Sequence, residues 1–221
     1  MPASKQLVLA SNSPRRRELL TLTGWSFSVS PANIDETPHP GEKPFDYVSR
    51  LSKEKALACR EPAADMVLAA DTIVVDGDEL LGKPAFRSDA FRMLRRLRGH
   101  DHNVMTAIVL LDRSSGRIEQ DVCVTTVPMR KYSDAEILHY VESDDPMDKA
   151  GSYAIQHAGF HPVENFTGCF ASVMGLPLCH VRRLAERCEM PVSAELVAEC
   201  ERINRYTCPI HRQVESGLKV G

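Results

Sequence analysis

Apolar and polar positions along this chain fall into blocks whose period and punctuation separate strands from helices. Residues 6–10, with Leu7-Val8-Leu9 at the centre, form a short apolar run that predicts a buried strand. It passes through Ser11-Asn12-Ser13 into a helix over residues 14–23, opened by Pro14 with Ser13 as N-cap and closed by Gly24. Residues 27–30 predict a second strand. Residues 31–44 hold four prolines together with Asp35, Glu36 and His39, too many breakers for a regular element, so this stretch is a surface loop presenting two carboxylates. The next helix spans residues 44–60, with Val48, Leu51, Ala56 and Cys59 in an apolar stripe flanked by Lys53 and Lys55.

Residues 66–75 are apolar and β-rich apart from Asp71 and Thr72, which sets a carboxylate inside a central strand. Asp76-Gly77-Asp78 is a hairpin turn signal leading to Glu79-Leu80-Leu81-Gly82-Lys83-Pro84, so Asp71 and Lys83 are expected on neighbouring strands. Residues 88–97 are helical, with Phe91, Leu94 and Leu97 on one face. Two long β-rich segments, 103–111 and 118–127, flank Ser114-Ser115-Gly116 and predict a wide antiparallel hairpin. Ser133 and Glu136 form a capping box for a helix reaching about residue 142. Residues 148–156 crowd polar groups around Gly151, more like a site loop than a core element. Gly175-Leu176-Pro177 precedes a helix over 178–188, and a last helical pattern begins near Ser193 in what reads as an appendage. Strands alternating with helices, plus one long hairpin, indicate an α/β protein with a mixed sheet.

Composition narrows the function classes. The chain has 221 residues, 43% of them hydrophobic, enough for one globular unit with a sizeable core. With 27 basic and 30 acidic residues the net charge is -3, so no overall field attracts nucleic acid or an acidic membrane, and anion binding has to be local. No apolar run is long enough for a signal peptide or a membrane span, which leads us to expect a cytoplasmic protein. Seven cysteines, an odd number set mostly among apolar neighbours, are expected as reduced thiols. No His-Glu-x-x-His or paired Cys-x-x-Cys occurs; Cys200, Cys208 and His211, with Cys188 before them, stay open as metal ligands or as plain residues of a terminal helix.

The densest local signal is Arg15-Arg16-Arg17 in the first turn of a helix, where the macrodipole favours carboxylates. Three arginines there need a reason outside helix stability: Ser11, Arg15, Arg16 and the free amides of the helix start could converge on a phosphate, or the arginines could form a solvated face. Asp71 must be paired, ionised at a sheet end or metal-bound, since a bare buried carboxylate is costly. Lys55 and Lys83 flank it in sequence, and Gly82 and Pro84 fix the backbone around Lys83. Glu36 and Asp35 are available as carboxylate partners for a divalent ion on a polyphosphate, with Glu36 and Asp71 the candidate metal pair. Thr72 and Gln156 are neutral hydrogen-bonding groups, and a glutamine amide suits the imide edge of a pyrimidine. Asp148 and Lys149 are candidates for a mutual ion pair.

Taken together, residues 10–20 (Ala-Ser-Asn-Ser-Pro-Arg-Arg-Arg-Glu-Leu-Leu), 50–56 (Arg-Leu-Ser-Lys-Glu-Lys-Ala), 70–74 (Ala-Asp-Thr-Ile-Val), Gly82-Lys83-Pro84, 148–151 with 153–156 (Asp-Lys-Ala-Gly and Tyr-Ala-Ile-Gln) and Gly175-Leu176-Pro177 resemble, in order, the motifs of the Maf family of nucleoside triphosphate pyrophosphatases. The resemblance covers residues 1–190 as one domain and leaves residues 191–221 outside as a helical tail. It implies a two-lobed α/β fold of the Maf/ITPase-like kind, with an elongated mixed sheet flooring a cleft. It also implies hydrolysis of a nucleoside triphosphate to monophosphate and pyrophosphate with a divalent cation, Mg2+, Mn2+ or Co2+. Asp71 then matches the proton acceptor, and Ser11, Arg15, Arg16, Lys55 and Lys83 match polar residues of the cleft. Arg15, Thr72 and Gln156 fall where the dTTP/UTP branch sets specificity. The branch acting on 7-methyl-GTP tends to carry Asp-Gln for Asp71-Thr72 and to lose the Tyr-x-Ile-Gln signature. Here both are kept, although His157 replaces a common glycine and residues 169–172 depart from a more polar run. The alternatives are 7-methyl-GTP or another noncanonical nucleotide as substrate, or a nucleotide-binding regulator of cell division without turnover. The family makes a homodimer an expectation as well.

Overall fold

In a computed structural model that describes residues 5–218, 220 and 221, the predicted strands come together in one mixed sheet. Its strands are β1 (Leu7–Leu9), β2 (Phe27–Val29), β3 (Met66–Asp76), β4 (Glu79–Leu81), β5 (Asp101–Asp112) and β6 (Arg117–Pro128). The order is β2-β1-β3-β5-β6, with β1 parallel to both its neighbours and β5 antiparallel to both β3 and β6. β3, β5 and β6 are long because the β-branched and apolar runs in the sequence are long, and they carry the sheet through both lobes.

One edge of β3 is shared unequally. β1 pairs with Met66, Val67 and Leu68, and β4 folds back onto Val74, Val75 and Asp76. Among the described residues no strand covers residues 69–73 between them. That gap is a notch in the sheet edge, and both faces of β3 reach it.

The helices are α1 (Pro14–Thr21), α2 (Pro44–Ala58), α3 (Arg87–Leu97), α4 (Asp134–Glu142), α5 (Phe170–Val173), α6 (Leu178–Arg187), α7 (Leu196–Asn204) and α8 (His211–Glu215). Strand alternation sends Val67, Ala69, Ile73 and Val75 to the face covered by α2, with Val48 and Ala56 among their partners. On the other face Met66, Leu68 and Ala70 pack with Leu19, Leu20, Val181 and Leu184, whereas Val74 joins a separate cluster with Leu94, Ile137 and Tyr140. These two clusters are the lobes, and Thr72 falls in the seam between them.

The capping residues act as the sequence indicates. The Ser13 hydroxyl accepts from the Arg16 amide at 3.4 Å, and Ser133 and Glu136 close a complete capping box. Two expectations need correction and one open reading is narrowed. Lys83 lies just past β4 rather than on it, because the strand ends at Leu81 before Gly82. The segment after Pro191 is no appendage: the Trp25 indole donates to the Pro191 carbonyl at 2.6 Å, Ser193 N to Thr23 O at 2.9 Å, and Leu196 is buried in the main core. Cys188, Cys200, Cys208 and His211 do not assemble as a metal site, since no group of three or more metal-ligating side chains is so placed among the described residues. Burial raises the Cys200 thiol to about 11, which keeps it protonated, and all seven cysteines are free. No helix among the described residues is long and apolar enough to cross a membrane.

Candidate active site

The notch opens into a cleft of about 750 Å3 whose wall includes Ser11, Arg15, Arg16, Glu36, Lys55, Asp71, Thr72, Lys83 and Gln156. These residues singled out in the sequence are therefore in one place, whereas Asp35, the other loop carboxylate offered for a divalent ion, is exposed and outside the wall. Arg17 is exposed and outside it. Five cationic side chains, counting Lys149, face three carboxylates, so the cleft is locally positive although the chain is not.

On the α2 face, Lys55 occupies the position seven residues after Val48, which places it on the helix stripe that packs against the sheet. Its side chain is 12% exposed and its ammonium is ion-paired with Asp71, 10% exposed, and with Glu36 at 2.7 Å. Burial holds the Asp71 carboxyl above the ordinary carboxylate range, while the Lys55 and Arg16 charges and the Lys55 hydrogen bond oppose that rise. The result is a carboxylate more basic than a solvated one, kept ionisable by two cations. Glu36 comes from the proline-rich loop, which Tyr47 fastens by donating its hydroxyl to the Glu36 carbonyl at 2.6 Å.

On the opposite face Arg16 acts as a three-pronged fork. Nε donates to the Gly175 carbonyl at 2.9 Å, Nη1 to Ser11 Oγ at 3.3 Å and Nη2 to Thr72 Oγ1 at 3.0 Å. Ser11 in turn accepts from the Ser13 amide at 3.2 Å, which ties the turn before α1 to the same group. Burial lowers the Arg16 pKa and the nearby Asp71 charge raises it, so the two faces interact across the strand. Gly175 sits at φ +105°, and a Cβ there would lie 3.2 Å from both Arg16 Nε and Thr72 Oγ1. A side chain at this position would crowd the fork.

The second lobe contributes the loop that was expected to be site-like. Lys149 is buried and held by Asp148 at 2.6 Å and Asp145 at 3.0 Å, so the expected pair with Asp148 forms and takes in a second carboxylate. Gly151, at φ +68°, donates to the Gly82 carbonyl at 3.1 Å, and a Cβ on it would meet Val74 methyls at 3.0 Å. That contact joins the loop to the stretch carrying Lys83. Lys83 and Gln156 are exposed at the rim.

A family profile described as "Maf-like protein" matches residues 6–188. The chain belongs to the Maf family. It is 50% identical over 189 residues to the "dTTP/UTP pyrophosphatase" of Shewanella sp. (strain MR-7), spanning 80% of this chain and 95% of that one. It is 47% identical over 192 residues to the protein of the same name from Anaeromyxobacter dehalogenans (strain 2CP-1 / ATCC BAA-258), spanning 86% and 97%. Among solved structures, the "nucleoside-triphosphatase / dITP/XTP pyrophosphatase" of Mycobacterium abscessus aligns with 83% of this chain and 97% of its own, at TM-score 0.39 and 11% identity.

Within this Maf chain the two departures noted in the sequence lie off the cleft wall. His157 accepts from the Phe160 amide through Nδ1 at 2.9 Å and packs on Tyr140, ring centroids 4.6 Å apart. Cys169 caps α5 by accepting from Ser172 N at 3.4 Å. Sequence reasoning missed Tyr47, Gly175 as a ligand of Arg16, and Thr106 behind Thr72. Lys55 could have been ranked higher, since a lysine on the buried stripe of an amphipathic helix requires an acidic partner.

Proposed function

We propose that this Maf protein hydrolyses dTTP and UTP to the monophosphate and pyrophosphate, with Asp71 accepting the proton of the attacking water. The observation that carries this is the buried Asp71–Lys55 pair opening onto a positive cleft at the sheet notch. A general base works best when its pKa approaches the working pH, and burial moves Asp71 in that direction. Ser11, Arg15, Arg16, Lys55 and Lys83 bind the polyphosphate, whose charge grows on the leaving pyrophosphate as the bond breaks. Thr72 and Gln156 face the nucleoside. The names of the relatives support this assignment of substrate.

A divalent cation, Mg2+, Mn2+ or Co2+, belongs to the same proposal. Two carboxylates, Asp71 and Glu36, meet at Lys55, and no third ligand joins them among the described residues. That set fits an ion bound by one or two carboxylates and by the phosphates of its substrate better than a cage made of protein alone. When bound, such an ion supplies charge neutralisation and orientation of the triphosphate. The remaining work falls to the chain: Arg16 fixes the turn before α1, Lys55 holds Asp71 ionised, and the cleft walls orient the nucleotide.

The test is product analysis with purified protein, dTTP or UTP and each cation in water enriched in 18O. The proposal requires pyrophosphate release, label in the monophosphate and loss of turnover on chelation. Orthophosphate release, or no release with any of the three ions, rejects it.

A further inference from the structure

Behind the cleft wall three groups form a hydrogen-bond relay that neither the motifs nor the relatives' names account for. Thr72 and Thr106 are directly opposed across β3 and β5, and their hydroxyl oxygens are 3.0 Å apart. Thr106 is fully buried and donates to the Ser172 carbonyl at 2.8 Å. At the other end Arg16 Nη2 donates to Thr72 Oγ1 at 3.0 Å.

The two ends set the direction of every hydrogen in between. A guanidinium can only donate and a carbonyl can only accept, while a hydroxyl has one hydrogen and two lone pairs. The single hydrogen of Thr106 goes to the Ser172 carbonyl, so Thr106 must accept from Thr72. The single hydrogen of Thr72 is thereby committed inward, and one of its lone pairs is taken by Arg16. What Thr72 retains for a ligand in the cleft is one acceptor lone pair and no donor. Gly175 keeps the approach to that oxygen open, because a Cβ there would stand 3.2 Å from it.

We propose that Thr106 is a positioning residue for base selection: by accepting the Thr72 hydrogen, it fixes Thr72 as an acceptor that takes the imide N–H of uracil or thymine. This rests on the assignment of pyrimidine triphosphates as substrates. Cytosine presents a lone pair at the same ring nitrogen, so an acceptor that cannot turn repels it. A hydroxyl free to rotate serves either base.

The experiment compares kcat/KM for UTP, CTP and 3′-deoxy-UTP in the wild type, Thr106→Val, Thr106→Ala and Thr106→Ser, with pyrophosphate release as the readout. Wild type should prefer UTP to CTP. Thr106→Val should lose about tenfold of that preference, the scale of one hydrogen bond, and Thr106→Ser should restore it. Thr106→Ala makes the same comparison if the valine variant does not fold. Loss of a merely structural side chain would slow both pyrimidines together, leaving the UTP:CTP ratio in place, and that result overturns the proposal. So does a wild type with no preference between them. A change confined to UTP against 3′-deoxy-UTP places the donor on the sugar and overturns the imide assignment. A wild type inactive on all three rejects the proposed activity itself, a different failure.

Discussion

Asp71 and Thr72 are adjacent in sequence yet serve opposite sides of β3, and the two sides are built from different interactions. On the α2 side the contacts are between full charges, Asp71, Lys55 and Glu36. On the other side Arg16 is held by two hydroxyls and a carbonyl, and Thr72 is held by Thr106. Strand alternation separates the two sets and the notch lets both reach one cleft. The hydrogen bonds of the two sides are separate, although one residue apart, and what links them is the charge of Arg16 felt by Asp71 across the strand.

The largest effect expected from this division is that of Asp71→Asn. Loss of a positioned general base costs typically 10²- to 10⁴-fold in rate, and kcat for dTTP or UTP should fall within that range. Stability should not fall with it. The folded-state pKa of Asp71 lies above its unfolded value, so its contribution to stability is present below the unfolded pKa and is lost as pH rises through the folded one. At pH 7 the ionised carboxylate is a cost, and the amide removes it. Thermal melting at pH 7 should give an Asp71→Asn midpoint no lower than wild type; a clearly lower one would mean that Asp71 serves mainly as a structural partner of Lys55.

On the other face, Arg16→Lys should reduce kcat/KM for UTP by about 10- to 100-fold, because an ammonium retains the charge but cannot reproduce three divergent N–H bonds. Arg17→Ala should stay within about twofold of wild type, since Arg17 is exposed and outside the cleft. Equal losses in the two variants would show that a diffuse positive potential, rather than the fork, is what the arginines provide.

The difference between the faces also explains how far the sequence could be read. Asp71 stood out because a carboxylate in an apolar strand violates the local pattern, and the arginine triplet stood out because it opposes the helix dipole. Thr106 gave no such signal: a threonine in a β-rich strand is ordinary, and its importance comes from a cross-strand register that local pattern does not encode. The Lys55–Glu36 contact depends on how a proline-rich loop returns over α2, again a long-range fact. α5 has four residues, too few for a helical period, and the helices after Pro191 looked peripheral because their apolar stripe is short, although Leu196 completes the main core.

The smallest expected effect is also the one that best measures how separate the two faces are. If Asp71 must be ionised to accept a proton, kcat/KM, which reports the free enzyme before the cation and triphosphate bind, falls on the acid side with an apparent pKa above that of an ordinary carboxylate, because burial dominates its environment. Lys55 opposes burial, so Lys55→Gln removes a stabilising charge and should move the acid limb to still higher pH. Arg16 opposes burial too, from the far side of the strand. Arg16→Lys keeps a positive charge and should leave the limb in place, whereas Arg16→Gln should move it up by less than Lys55→Gln, since Arg16 makes no hydrogen bond to Asp71. Thr72→Val carries no charge change and should leave the limb unmoved while altering base preference. A Thr72→Val limb displaced as far as that of Lys55→Gln would mean that the two faces titrate as one unit. Recognition and proton transfer could not then be varied separately.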